Sequence, residues 1–118
     1  YDSVNISTVG FSGRGYTRAT EYIKPDLVAP GVNILTTTVG GSIISFTGTS
    51  AAAPFVAGSV ALLMEWGIVD RNDIFLFGER LKAFLCTGAI RDNSREYPNR
   101  EWGYGRLCLK NTLDLLKK

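Results

Sequence analysis

Ser50 is the residue of this sequence whose surroundings point most directly to chemistry. It stands in Phe46-Thr47-Gly48-Thr49-Ser50-Ala51-Ala52-Ala53-Pro54-Phe55-Val56-Ala57-Gly58, where a strand-like stretch turns into a long apolar run. A serine at the start of a helix ordinarily serves as an N-cap, its oxygen accepting an otherwise orphaned backbone N–H. Three features pull against that reading. Gly48 admits a close approach of backbone to backbone. Ala51, Ala52 and Ala53 leave the space around Ser50 open to a ligand. Pro54 lacks an N–H, a small loss if it falls among the unpaired donors of a first turn. The free N–H groups and the positive end of the helix dipole then favour an anion above Ser50. A serine nucleophile placed there stands beside its own oxyanion donors, the arrangement of acyl transfer. The 118 residues include no histidine, and without a base a serine hydroxyl keeps its proton near neutral pH and is a weak nucleophile.

The elements that must position Ser50 are legible on either side. Val4, Ile6 and Val9 alternate with polar residues and predict a short strand, broken by Phe11 to Gly15. Gly13-x-Gly15 lacks the third glycine of a phosphate loop and reads as a turn. Leu27-Val28-Ala29 is a brief apolar run suited to a buried strand, and Pro30-Gly31 supplies a turn. Val32 to Val39 and Ser42 to Phe46, separated by Gly40-Gly41, predict a hairpin that delivers Gly48 and Ser50 to the helix start. The helix from about Ser50 to Trp66 is apolar nearly all round, through Val56, Val60, Leu62, Leu63 and Met64, which predicts burial on most faces. Asp70 to Asp73 reads as the start of a second helix bearing Ile74, Phe75, Phe77, Leu81, Phe84 and Leu85, with a break at Gly78 and an end at Gly88. Residues 91–101 form a mixed-charge loop, Trp102 to Leu107 a closing strand, and Asn111 to Leu116 a final helix. Strands feeding a central helix, with further helices behind it, predict part of an α/β layered domain.

Composition narrows the function classes. Hydrophobic content of 45% places the chain among folded globular proteins, and a net charge of +2 argues for neither nucleic acid nor a membrane surface. The run Ala51 to Trp66 reads as too short for a membrane span. Cys86 and Cys108 sit among apolar neighbours in no metal-ligand pattern, and free thiols are expected.

Gly48-Thr49-Ser50-Ala51-Ala52-Ala53-Pro54-Phe55-Val56-Ala57-Gly58 resembles the nucleophile motif of the subtilisin-like serine proteases, Gly-Thr-Ser-x-Ala-x-Pro-x-Val-Ala-Gly. Lys24-Pro25-Asp26-Leu27-Val28-Ala29-Pro30-Gly31 is similar to the Pro-Asp-x-x-Ala-Pro-Gly block that precedes it in that family, at about the same spacing. Gly103-Tyr104-Gly105-Arg106-Leu107 is similar to a closing Gly-x-Gly-x-Leu/Ile strand. Phe55 replaces a His frequent in the family but outside its triad. The resemblance implies that residues 1–118 are the C-terminal part of a catalytic domain, with a mainly parallel sheet flanked by helices and a central helix starting at Ser50.

It further implies a serine endopeptidase acting on peptide or protein substrates, with Ser50 catalytic. Thr49 and Ser50 support the oxyanion, and Phe46, Thr47 and Gly48 line the cleft. The family's Asp and His precede its Ser in chain order, so those residues and the oxyanion Asn are expected outside this chain, and the chain alone is expected to be inactive. The expected partners are substrate, the missing N-terminal half and, through the exposed sheet surface, a second copy; nucleic acid and membrane are not. No cofactor is expected, although family members bind calcium or sodium and Asp26 could approach such an ion in the intact domain. Secretion or a cell-surface location follows from family habit. The alternative is a pseudoprotease that has lost its base and acts as a binding or regulatory module.

Overall fold

The computed structural model describes residues 1–118. In chain order the elements are β1 (Gly15–Tyr16), β2 (Ile23–Lys24), β3 (Ile34–Thr37), β4 (Ile43–Phe46), α1 (Thr49–Met64), a π turn over Glu65–Val69, α2 (Gly78–Thr87) and α3 (Leu109–Leu116). The β3–β4 hairpin forms as its β-branched arms predict. Ile34 pairs with Phe46 and Thr37 with Ile43 in an antiparallel ladder, and Gly40 and Gly41 turn the chain with φ of 89° and 81°. Those angles are open to glycine and costly for residues with a Cβ.

Inside this part of the expected α/β layered fold the strand pairing is local. Both ladders within the chain, β1–β2 and β3–β4, are antiparallel, because each joins neighbouring segments through a short turn. The parallel contact is a single bridge, Val28 to Arg106. The closing strand reduces to that bridge and two antiparallel ones, Arg106 to Ile90 and Gly103 to Asn99. Gly103 and Gly105, at φ 57° and 125°, bend the backbone on either side of Tyr104.

Two elements expected from periodicity are turns instead. The carboxylate of Asp2 accepts the N–H groups of Val4 and Asn5, and Ile6 takes φ 49°, so residues 2–7 fold back on themselves. Asp73 accepts the N–H of Phe75 and binds the Arg80 guanidinium at 2.7 Å, so the second helix starts only at Gly78. In both cases a short acidic side chain competes with the helix or strand for backbone donors.

The central helix also differs from expectation. It starts one residue earlier, at Thr49, and runs without a break through the π turn to Val69. That 21-residue span is long and apolar enough to cross a membrane, which corrects the sequence reading of a run too short to do so. Only Leu63 of α1 is fully buried, whereas Leu62 is 54% and Phe55 42% exposed. The expected burial on most faces is absent because α2 and α3 cover just the distal part of the helix. There Leu63, Leu76, Leu81 and Leu85 form the core, with Val56, Val60, Trp66, Phe84 and Leu113 packed around it. Each fully buried leucine contributes roughly 1.5–3 kcal/mol of transfer free energy.

Gly88 ends α2 as expected, but for a different reason. Its φ is −80°, and a Cβ there would lie 2.4 Å from Thr112 Oγ1. The glycine is required by the close passage of α3.

Candidate active site

The site is built where the end of β4 meets the start of α1. Gly31 holds this junction from below. Its carbonyl accepts the Gly48 N–H at 2.8 Å, and the Thr47 hydroxyl accepts the Asn33 N–H at 2.9 Å. The two sequence blocks that stand out in the chain, residues 24–31 and 48–58, are thus joined by a backbone hydrogen bond. A Cβ on Gly31 would stand 2.8 Å from the Gly48 carbonyl oxygen and 3.2 Å from Ala52 Cβ, so glycine is what permits this contact.

Gly48, in an extended conformation, is the N-cap residue, and no side chain caps the helix. Ser50 is therefore not an N-cap; it is the second residue of α1. Its hydroxyl and its N–H pair with no other group of the chain, and the Thr49 N–H is likewise unpaired. Ser50 is exposed. Pro54 lies deeper in the helix than the sequence reading placed it, beyond the first-turn donors. Its missing N–H leaves the Ser50 carbonyl without the usual i+4 partner.

Ser50 opens into a cavity of about 560 Å3 bounded by the hairpin and the first turns of α1, and Phe46 shares it. No ionisable side chain lines this space. Thr49 and Gly48 border a different cavity of about 510 Å3, on the other side of the helix start, together with Gly31, Ala52, Lys24 and Arg14. Of the residues expected to act together, Ser50 and Phe46 share one space, Thr49 and Gly48 the other, and the Thr47 hydroxyl is engaged with Asn33. What the unpaired first turn offers chemically is a hydroxyl beside free backbone donors at a positive helix end, a setting that stabilises a developing oxyanion.

Two site neighbours were not singled out as such in the sequence. Gly31 was legible as a turn residue closing the 24–31 block, and Phe55 as the replacement of a His outside the family's triad, yet Phe55 lines the Ser50 cavity. Asp26 lies elsewhere. Its carboxylate binds the Lys24 ammonium at 2.7 Å and that of Lys82 at 3.3 Å. Burial pushes this carboxyl up, but the hydrogen bonds from Lys24 and Lys82 outweigh it and hold the group below its ordinary value. Cys86 and Cys108 are free thiols, as expected.

Comparison with known proteins agrees with these local features. The family model for the subtilase family (Peptidase S8) matches residues 2–105. The PII-type proteinase of Lactococcus lactis subsp. cremoris is 32% identical over 109 residues, covering 80% of this chain and 6% of that protein. The minor extracellular protease Vpr of Bacillus subtilis (strain 168) is 33% identical over 116 residues, covering 87% of this chain and 13% of the relative. Among solved structures, the Clostridium perfringens CspB protease superposes with a TM-score of 0.95 at 50% identity, covering 100% of this chain and 26% of that one. This chain therefore spans well under a third of the length of each of the three. With a family match over nearly its whole length and a glycine-held serine at the head of its central helix, the chain belongs to the subtilase family.

Proposed function

We propose that this chain is the nucleophile-bearing C-terminal part of the catalytic domain of a serine endopeptidase, in which Ser50 forms the acyl-enzyme. The observation that carries the reading is the exposed Ser50, with hydroxyl and N–H both unpaired, on the first turn of α1 in a chain of this family. In the full-length protein Ser50 Oγ attacks the carbonyl of a peptide bond. A histidine from outside this chain takes the proton, and an aspartate orients that histidine. The Ser50 N–H receives the oxyanion, and Thr49, in the same unpaired turn, is its second proposed support. One such donor is typically worth about 3 kcal/mol of barrier. Phe46 forms the adjoining wall of the cleft, and Thr47 and Gly48 hold the turn that carries it into the helix. Since the chain has no histidine, it is inert by itself.

The exposed apolar faces of α1 and the hairpin support the remainder of the domain as the partner that covers them, with a second copy as the substitute when the chain is alone. On this reading the 21-residue helical span is the buried centre of the complete domain and not a membrane anchor. The extracellular Bacillus subtilis relative supports export of the protein, which cell fractionation can check. The experiment that tests the function is labelling with a fluorophosphonate. The full-length protein should be modified at Ser50, Ser50→Ala should abolish the modification, and the 118-residue chain alone should not react. A full-length protein that cleaves no peptide and takes no label would instead fit a pseudoprotease acting as a binding module.

A further inference from the structure

The far end of the central helix carries a separate built surface. The Asp70 N–H donates to the Glu65 carbonyl at 2.9 Å and closes the π turn. The Asn72 amide donates to the Trp66 carbonyl at 2.8 Å, and Arg80 pairs with Asp73 at 2.7 Å. These bonds fix the loop 70–77 beside α2 and the end of α3. Between them lies a cavity of about 670 Å3 whose apolar wall is Trp66, Ile74, Phe75, Phe84, Leu115 and Leu116. Ile74 and Phe75 stay 53% and 67% exposed, so a fixed loop holds large apolar side chains in water, which marks an interaction surface. Trp66 lies roughly 24 Å along the helix from Ser50, at about 1.5 Å per residue, so this surface is not part of the cleft.

Its charges select the sign of a ligand. Asp73 and Arg80 cancel each other, whereas Arg71 and Lys118, the other charged residues of the wall, make no ion pair. Asp70 and Glu65 are exposed nearby but do not line the cavity. The N–H groups of Arg71 and Asn72 also have no acceptor. Asp70 is right-handed at φ −82° and Arg71 left-handed at φ 60°. That alternation turns successive N–H groups into a concavity for an anion. We propose that this surface docks a protein partner through an exposed peptide segment in which a Leu or aromatic anchor is flanked by Asp or Glu. The anchor gains by leaving water over Trp66, Phe75 and Phe84. Its neighbouring carboxylate meets Arg71 and the unpaired N–H groups in charge-assisted hydrogen bonds. A cationic segment of the same apolarity would face Arg71 and Lys118 as like charges, which disfavours it. The surface needs nothing from Ser50, so it stands whether the full-length protein cleaves peptides or only binds them.

The test pans a phage-displayed random dodecapeptide library on the full-length protein carrying Ser50→Ala, so that bound peptides are not cut. The library is first depleted on the same protein with Arg71→Glu added, which removes peptides that bind elsewhere, the cleft included. The survivors should combine Leu, Phe or Trp with Asp or Glu. In fluorescence anisotropy a selected peptide should bind Arg71→Glu, and separately Phe75→Ser, at least about tenfold more weakly, the scale of one lost charge-assisted hydrogen bond or one lost apolar anchor. Both side chains are exposed, so Tm should not move with either change. Panning on Arg71→Glu itself should enrich Lys- or Arg-bearing apolar peptides, a gain that misfolding cannot produce. No survivors after depletion, or survivors without acidic residues, overturn the inference; the former is the result if another part of the full-length protein covers the loop. Adsorption to phosphatidylserine vesicles that Phe75→Ser abolishes, with no peptide enriched, would assign the loop to a membrane surface and overturn it too. Fluorophosphonate labelling of Ser50 reads the nucleophile proposal separately, so either can fail alone.

Discussion

Replacing Gly31 by alanine tests whether the contact beneath the Gly48 turn positions Ser50, the proposed nucleophile. The new Cβ would stand 2.8 Å from the Gly48 carbonyl oxygen, against an ordinary contact of 3.4 Å or more, and 3.2 Å from Ala52 Cβ. One obstacle is backbone and the other is the first carbon of a helical side chain, so neither can swing aside. The turn and the segment around Gly31 must part by about half an ångström. The Gly48 N–H to Gly31 C=O bond, now 2.8 Å, stretches with them. Gly31 does not have a positive φ, so the penalty is purely steric.

Overpacking of this kind typically costs about 1–3 kcal/mol. For a domain of about 150–250 residues that is a fall of roughly 2–10 °C in Tm. The larger effect should be on chemistry. A misplacement of about 1 Å can lower a rate about 100-fold, so half that distance predicts roughly a tenfold loss. The assay is the second-order rate constant for fluorophosphonate labelling of full-length Gly31→Ala, with Tm measured in parallel. Gly10→Ala is the control, because a Cβ at Gly10 meets nothing within 4 Å. A Gly31→Ala protein with wild-type labelling rate and wild-type Tm would show that the contact does not position the serine.

Other substitutions probe the rest of the structure. Gly88→Ala should lower stability by about 1–3 kcal/mol in chemical denaturation, because its Cβ would strike Thr112 at 2.4 Å where α2 and α3 cross. Asp26 has a depressed carboxyl pKa, so its contribution is present above the unfolded value of about 3.9 and is lost as pH falls through the lower folded value. Urea unfolding of wild type and Asp26→Asn should therefore differ at neutral pH and converge under acid conditions. Burial pushes the Cys86 thiol up, and thiolate is the reactive form, so iodoacetamide should modify half-buried Cys108 before Cys86. Peptide mapping by mass spectrometry reads the order, and Cys86 should react freely only after unfolding.

Much of the site was legible because it is local. Gly40-Gly41 between two β-branched arms specifies a hairpin through dihedral preference alone, and the apolar run after Gly48 specifies a helix. Where reading failed, a side chain had captured nearby backbone donors, as Asp2 and Asp73 do, or the packed elements covered only part of a helix. The first kind turned an alternating pattern at residues 2–7 into a turn and delayed α2 to Gly78. The second left α1 uncovered despite its all-round apolar character.

By itself, then, the sequence determined that a serine follows a hairpin and heads an apolar helix, since backbone periodicity and turn chemistry act over a few residues. Tertiary structure decided which surfaces that serine meets. The seat of Gly48 on Gly31, the division of Thr49 and Ser50 between two cavities and the passage of Thr112 across Gly88 join segments distant in the chain. Such contacts depend on how whole elements pack, and no local pattern encodes their distances.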